Sequence, residues 1–427
     1  MRRIGLVLLG FFLALAVFAG GGRDRGGASD QGQPTTVTLW HTWGAVGSTN
    51  KIVLDYLLPE LERKYNIKIE DDSTDSASYL IKLPVAYSAN EAPDIARGWA
   101  GSFMVPFVNG NKLLALDEYL TDDYKAKLLP GVLDLMTYNG KIYGLPMSIN
   151  TQALYVNRAM FEREGLALPT DWDKLVTAIQ HFKSKGITPI TLGARTNNQV
   201  MFWYEILKLR TAGPEDSYRV LTKEIDYSAP EFLQTAERLK QLFDMGAFPQ
   251  GAAGLTRDET EVDLYNGVIP MCFQGPWVTT NFYLDTSHVN PDDIEILGFP
   301  SWPGAKGKVT DITGGVSDSF YVNAQTRYPK FLADVAQDLM YGLGRGLFLQ
   351  GSALAAYHVP PAESANLPPL FLKMVDYANA ATYMAPDPAR IYSGDDVEQY
   401  YQNANSFFLG ILTPQQFIAN MNLINRN

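Results

Sequence analysis

Residues 139–157 read Asn-Gly-Lys-Ile-Tyr-Gly-Leu-Pro-Met-Ser-Ile-Asn-Thr-Gln-Ala-Leu-Tyr-Val-Asn. Asn139-Gly140 is a two-residue turn signal, because both residues tolerate positive φ. Lys141, Ile142 and Tyr143 follow as a short strand. Gly144-Leu145-Pro146 is expected to interrupt it, since proline cannot donate to a sheet ladder. Ala153, Leu154, Tyr155 and Val156 form a second extended run of strand formers. Read alone, the stretch is a hairpin and one further strand. Its position adds meaning: a complete α/β pattern precedes it and another follows. The stretch is therefore read as a crossing between two lobes.

Working outward toward the N-terminus, residues 36–40 (Thr-Val-Thr-Leu-Trp) read as a strand. Residues 49–65 follow as a helix with apolar Ile52, Val53, Tyr56, Leu57 and Leu61. Residues 67–70 are the next strand and 76–89 the next helix. A third strand begins near Pro93 and ends near Trp99. This β-α-β-α-β alternation implies parallel strands with helices on their faces. Ligands in such folds bind beyond the carboxyl ends of the strands. Those ends bring residues 40–44, 71–75 and 98–102 to one edge.

Beyond the crossing the pattern restarts. A helix over 170–185, a strand over 189–192 and an aromatic helix over 199–210 come first. A long amphipathic helix over 228–245 follows, opened by Ser228-Ala-Pro-Glu231 as a capping box. A short helix over 262–266, strands over 268–273 and 294–299, and a turn over 300–304 come next. Residues 311–322 contain Thr313-Gly314-Gly315 and a strand over 319–322, which together read as a second crossing. Helices over 328–342, 371–380 and 397–425 complete the chain, the last broken at 410–414.

Bulk properties narrow the function. A chain of 427 residues exceeds one ordinary core, so two lobes are expected. The net charge of -11 and the absence of any Lys/Arg run argue against a nucleic-acid partner. Arg2 and Arg3 precede an apolar run over residues 4–19 that ends Val17-Phe18-Ala19. This reads as an export signal cleaved near Ala19, too short for a spanning helix. Residue 20 is glycine, where a bacterial lipoprotein requires cysteine, so no lipid anchor is expected. Residues 20–35 have little apolar content and read as a disordered linker. The one cysteine, Cys272, lies in an apolar run and reads as a buried, inert thiol.

At this point the sequence resembles a family-1 extracellular solute-binding protein, the maltose-binding-protein-like carbohydrate receptor of an ABC importer. The matches are Val37-Thr-Leu-Trp-His-Thr-Trp43, Ala92-Pro-Asp-Ile95, Gly140-Lys-Ile-Tyr-Gly-Leu-Pro146 through Leu154-Tyr-Val-Asn157, Leu168-Pro-Thr-Asp-Trp172, Gly275-Pro-Trp277, Gly298-Phe-Pro300, Thr313-Gly-Gly315 and Leu412-Thr-Pro-Gln-Gln416. The resemblance implies an α/β periplasmic-binding-protein fold, type II-like, with a ligand cleft between two lobes and hinge closure. The lobes are drawn at 36–147 plus 316–375 and at 148–315 plus 376–427. It further implies a monomer that passes a mono- or oligosaccharide to membrane permease subunits. Ala96-Arg97-Gly98-Trp99 departs from the family's usual sequence, as does the missing lipid-attachment cysteine.

A sugar site needs aromatic platforms for C–H faces and planar polar groups for hydroxyls. Trp277 matches the family's stacking position; Trp99 and Trp43 stand at strand ends. Asn150 lies within the crossing, and His41 and Asp72 follow strands, with Asp75 close behind. Gly314 and Gly315 let backbone approach a ligand. Arg345 and, in the C-terminal segment, Asp395 and Asp396 complete the set. No metal spacing, phosphate loop or nucleophile motif is present, so no cofactor, metal or catalytic residue is expected. Two alternatives remain: the same fold serving an amino acid or polyamine, or a secreted glycoside hydrolase with two carboxylates ~5 to 9 Å apart. The expected cleft loops are acidic or aromatic, which argues against an anion.

Overall fold

Residues 145–157 pass through three sheets in succession. Leu145–Pro146 is the outer strand of a five-stranded sheet, Ser148–Thr151 belongs to a four-stranded sheet, and Ala153–Asn157 is central in a three-stranded one. The computed structural model describes residues 34–44, 49–196, 198–316, 318–364, 366–392 and 394–426. The export segment at 1–19 and the linker up to residue 33 lie outside the described residues. Among the described residues, no helix is long and apolar enough to cross a membrane.

The five-stranded sheet has the spatial order Lys68–Ser73, Thr36–His41, Ile95–Trp99, Asp318–Val322, Leu145–Pro146. The first three strands are parallel, as the alternation with helices Thr49–Tyr65 and Ser76–Ala89 requires. Asp318–Val322 then enters antiparallel beside Ile95–Trp99. The strand after the Asn139-Gly140 turn ends at Ile142, interrupted as expected, and a separate two-residue strand then ends at Pro146. Pro146 sits on the outer edge of the sheet, where a missing N–H costs no ladder bond.

The second crossing returns the chain. Asp311–Val316 pairs antiparallel with Ser148–Thr151, and Asp318–Val322 continues into the five-stranded sheet. The two crossings therefore lie side by side, with Gly314 opposite Thr151 and Gly315 opposite Asn150. A Cβ on Gly314 would lie 2.1 Å from the Asn150 carbonyl oxygen, and Gly315 has φ +131°. Backbone crowding explains the first glycine and backbone conformation the second. The fully buried Arg210 donates to the carbonyls of Phe299 and Asp311, fixing the approach to the second crossing.

Strand Ala153–Asn157 is buried on both faces, and its alternation sorts its side chains between two cores. Ala153 and Tyr155 pack into the core that holds Leu39, Ile95 and Phe320. Leu154 and Val156 face the other, with Trp203, Phe273 and Phe417. Cys272 is buried in the first core, and burial pushes its thiol pKa well up, which fits an inert thiol.

Two local readings are corrected. Residues 189–192 form no strand; Ile190 makes a single bridge to Met271. Ser228 and Glu231 form no capping box, because the helix Pro230–Asp244 starts one residue later and places Glu231 at its second position. Glu231 instead pairs with Lys306 at 2.7 Å. The capping box belongs to Thr256 and Glu259, which open helix Arg257–Tyr265.

Gly314→Ala is expected to lower the unfolding free energy by roughly 2 kcal/mol or more, since backbone and not a movable side chain blocks the methyl. Gly254→Ala, where a Cβ meets no atom within 4 Å, should change it by less than about 0.5 kcal/mol. Urea unfolding of the two variants checks the pair; equal effects would contradict the crowding argument.

Candidate binding cleft

Strand Ile95–Trp99 carries an arginine where the burial pattern allows only small or apolar side chains. The Arg97 guanidinium lies between two indoles, 4.9 Å from the Trp43 ring centre and 4.3 Å from that of Trp99. One of its nitrogens, Nη2, pairs with Asp318, which stands opposite Trp99 in the neighbouring strand. Two cation–π contacts and an ion pair offset the cost of burying the charge. Nε and Nη1 have no hydrogen-bond partner among the described residues.

His41 supports this arrangement from beneath. It is fully buried, accepts the Trp43 N–H at Nδ1 (3.0 Å) and faces Asp71 at 3.4 Å through Nε2. That pattern fits the Nε2–H tautomer. Burial lowers the His41 pKa, and Asp71 offsets part of the effect. The imidazole therefore positions Trp43 from outside the cleft.

The opposite wall is built on strand Met271–Gln274. The chain leaves it at Gly275 and turns through Pro276–Val278, and the Trp277 indole folds back over Gly275. A Cβ on Gly275 would come within 2.1 Å of that ring. The spacing Gly-Pro-Trp thus makes room for its own platform. The guanidinium of Arg257 lies 5.4 Å from the Trp277 ring centre. Behind it Arg257 approaches Glu261 at 3.5 Å. Burial pushes the Glu261 carboxyl up to about 7, although Arg257 pulls in the other direction.

Two cavities meet at Trp277, Asn150 and Asp318, which line both. One, of about 440 Å³, is walled by Arg97, Trp99, Gln152, Asn198, Arg257 and Arg390. The other, of about 550 Å³, is walled by Trp43, Asn50, Asn281, Tyr283 and Gln350. Asn150 projects from the first crossing, opposite Gly315, and its side chain makes no hydrogen bond to another described residue. Gln152 is fixed by Thr313, whose hydroxyl donates to its Oε1 at 2.7 Å. On one rim the two walls touch, where Ser102 Oγ donates to the Ala389 carbonyl at 3.0 Å. A third cavity, of about 290 Å³, adjoins Trp99 and is lined by Leu83, Phe103, Phe107 and Val397. It is almost wholly apolar and offers hydroxyls few partners.

Of the residues singled out in the sequence, Trp43, Trp99, Trp277, Asn150, Gly314 and Gly315 line these two cavities. Six others stand apart. His41 is beneath Trp43; Asp72 is exposed and pairs with Lys82. Arg345 lies in helix Pro329–Leu349 and pairs with Glu363 at 2.7 Å. Asp395 is exposed at the start of helix Gly394–Phe408, and its neighbour Asp396 pairs with Lys223. Asp75 caps helix Ser76–Ala89 through the Ser78 N–H.

The cleft holds aromatic and acidic side chains, but arginines that were not expected stand among them. Arg97, Arg257 and Arg390 line the smaller cavity beside Asp318 and Asp387. The signal for Arg97 was present: an arginine inside a buried strand requires a partner. Arg257 opens helix Arg257–Tyr265, and Asp387 and Arg390 stand at the two ends of a short helical turn; their approach to the cleft depends on tertiary packing.

The sequence pattern of the family described as bacterial extracellular solute-binding protein matches residues 47–340. The chain belongs to that family. A solved structure from work on xylan utilization by the thermophilic bacterium Caldanaerobius polysaccharolyticus is similar to this solute-binding protein at 31% identity. It superposes with a TM-score of 0.84, over 91% of this chain and 99% of that one. An uncharacterised ABC transporter extracellular-binding protein of Pyrococcus horikoshii is 26% identical over 356 residues, 79% of this chain and 78% of that protein. The multiple sugar-binding protein of Streptococcus mutans is 25% identical over 201 residues, 45% of this chain and 46% of it. The two-lobed α/β architecture read from the sequence is the one these comparisons support.

Glu261 gives this solute-binding protein a pH signature. Its folded pKa of about 7 lies above the ordinary 4.5, so the folded chain keeps a proton that the unfolded chain has lost between those values. The stabilisation is complete below the unfolded pKa and disappears as pH rises through the folded one. Unfolding free energy should fall by on the order of 1–3 kcal/mol between about pH 5 and pH 8 on this account. Glu261→Gln should flatten that part of the slope in urea unfolding at the two pH values; an unchanged slope would contradict the assignment.

Proposed function

We propose that this solute-binding protein captures an oligosaccharide at Trp277 and delivers it to the permease subunits of an ABC importer. The observation that carries the reading is the pair of cavities meeting at Trp277, walled by indoles and by amide and charged side chains. Indole faces match the C–H faces of pyranose rings, and the amides of Asn150, Asn198 and Gln152 can both donate to and accept from hydroxyls. Each cavity falls near the size of one small-molecule site, ~300–1,000 Å³, so two side by side suit a chain of sugar units. The relatives support the sugar class: one is a multiple sugar-binding protein, and another comes from work on xylan utilization.

The lobes, bounded as drawn from the sequence, close about the paired crossings at Gly314 and Asn150. Delivery follows export, with the signal removed near Ala19. No chemical step belongs to this reading. Asp318 is engaged by Arg97, and Asp387 accepts the Ala389 N–H at 2.8 Å. Asp72, the carboxylate a hydrolase would have drawn on, is outside the cleft and paired with Lys82. A polyamine would meet three arginines in the smaller cavity, which disfavours that solute.

Thermal unfolding against a panel of neutral and acidic oligosaccharides, amino acids and polyamines tests the proposal. A ligand at 100 times its Kd should add roughly 2.7 kcal/mol to stability. At least one oligosaccharide should do so, and Trp277→Ala should remove the effect. A sugar response that survives Trp277→Ala would reject the platform; a response confined to amino acids or polyamines would reject the sugar.

A further inference from the structure

The cleft holds a feature that a neutral sugar leaves unexplained. Arg97 is 6% exposed, and two of its three guanidinium nitrogens have no hydrogen-bond partner among the described residues. Its guanidinium carbon lies over the rings of Trp43 and Trp99, and only Nη2 reaches Asp318. Arg97 is among the residues that line the smaller cavity, and its two unpaired nitrogens are buried beside it. Unpaired buried donors are costly, more so when they carry charge. An acceptor must therefore come from what enters the cavity.

Charge points the same way. Arg97, Arg257 and Arg390 line the smaller cavity with Asp318 and Asp387, and Arg257 also pairs outside the lining with Asp258 at 2.6 Å and Glu261 at 3.5 Å. The chain as a whole has a net charge of -11. A local excess of arginine inside an acidic protein is opposite to what the surface alone would supply. Guanidinium is a donor-only group, whereas each sugar hydroxyl brings a proton as well as lone pairs. A carboxylate brings acceptors alone, and charge-assisted bonds are about twice as strong as neutral ones.

We infer that the solute is an acidic oligosaccharide, one bearing a uronic-acid carboxylate that Arg97 receives in the smaller cavity. The inference rests on the sugar-receptor reading and narrows its substrate class. The larger cavity has no arginine among its described lining residues and takes neutral units of the same chain.

Calorimetric titration with matched sets tests it on the unmodified protein. Each set holds a neutral oligosaccharide, the same chain carrying one uronic acid, and the methyl ester of that acid; xylo-, galacto- and gluco-configured sets are used. In the set that binds, the acid should bind at least tenfold more tightly than both the neutral chain and the ester, and its advantage should shrink as salt is raised. The ester removes the charge without altering the protein, so the comparison does not depend on a variant folding. Arg97→Gln, where it folds, should bring acid and ester to equal affinity. Neutral chain or ester binding as tightly as the acid would overturn the inference and leave the sugar receptor standing. Failure of every member of every set would overturn both.

Discussion

The close approach of two strands at Gly314 is the constraint on which the rest depends. Asp311–Val316 and Ser148–Thr151 run antiparallel, and the backbone of Asn150 occupies the space a side chain at 314 would need. That contact places both crossings in one small sheet between the two cores. It also aims Asn150 at the cleft and carries Asp318 into register with Trp99. A hinge of this kind has little bulk to reorganise, so closure needs changes at few backbone positions.

The cleft is held by groups that fix one another. His41 holds Trp43 by its main-chain N–H, Trp43 and Trp99 sandwich Arg97, and Asp318 takes one edge of the guanidinium. Across from them, Trp277 lies over Gly275 and against Arg257, which is paired with Asp258 and Glu261. Most of the binding wall is thus set before any solute arrives, which lowers the ordering cost of capture. The unpaired nitrogens of Arg97 are the exception, and they mark where the solute must supply an acceptor.

The fold was largely legible because its signals are local. Strand and helix alternation, the Asn139-Gly140 turn and the run into Val156 specify both lobes and the first crossing. The interruption before Pro146 was readable from proline's missing donor, whereas its place at a sheet edge is a property of the assembled sheet. Ser228 misled because a capping box depends on a register that Pro230 shifts by one. Trp277 carries its own geometry in Gly275 and could be read directly. Arg257 and Arg390 could not, since the short helices that carry them reach the cleft only through tertiary packing. His41 and Asp72 stood at the right strand ends, but one was drawn under the sheet edge and the other was turned to solvent and Lys82.

The most direct test is a crystal structure of the chain grown with a bound oligosaccharide. The account predicts sugar units on both sides of Trp277, one ring lying against its indole and an acceptor oxygen within hydrogen-bond reach of Arg97 Nε or Nη1. Sugar ordered instead in the apolar cavity of Leu83, Phe103 and Phe107, with the space around Trp277 holding only water, would contradict it.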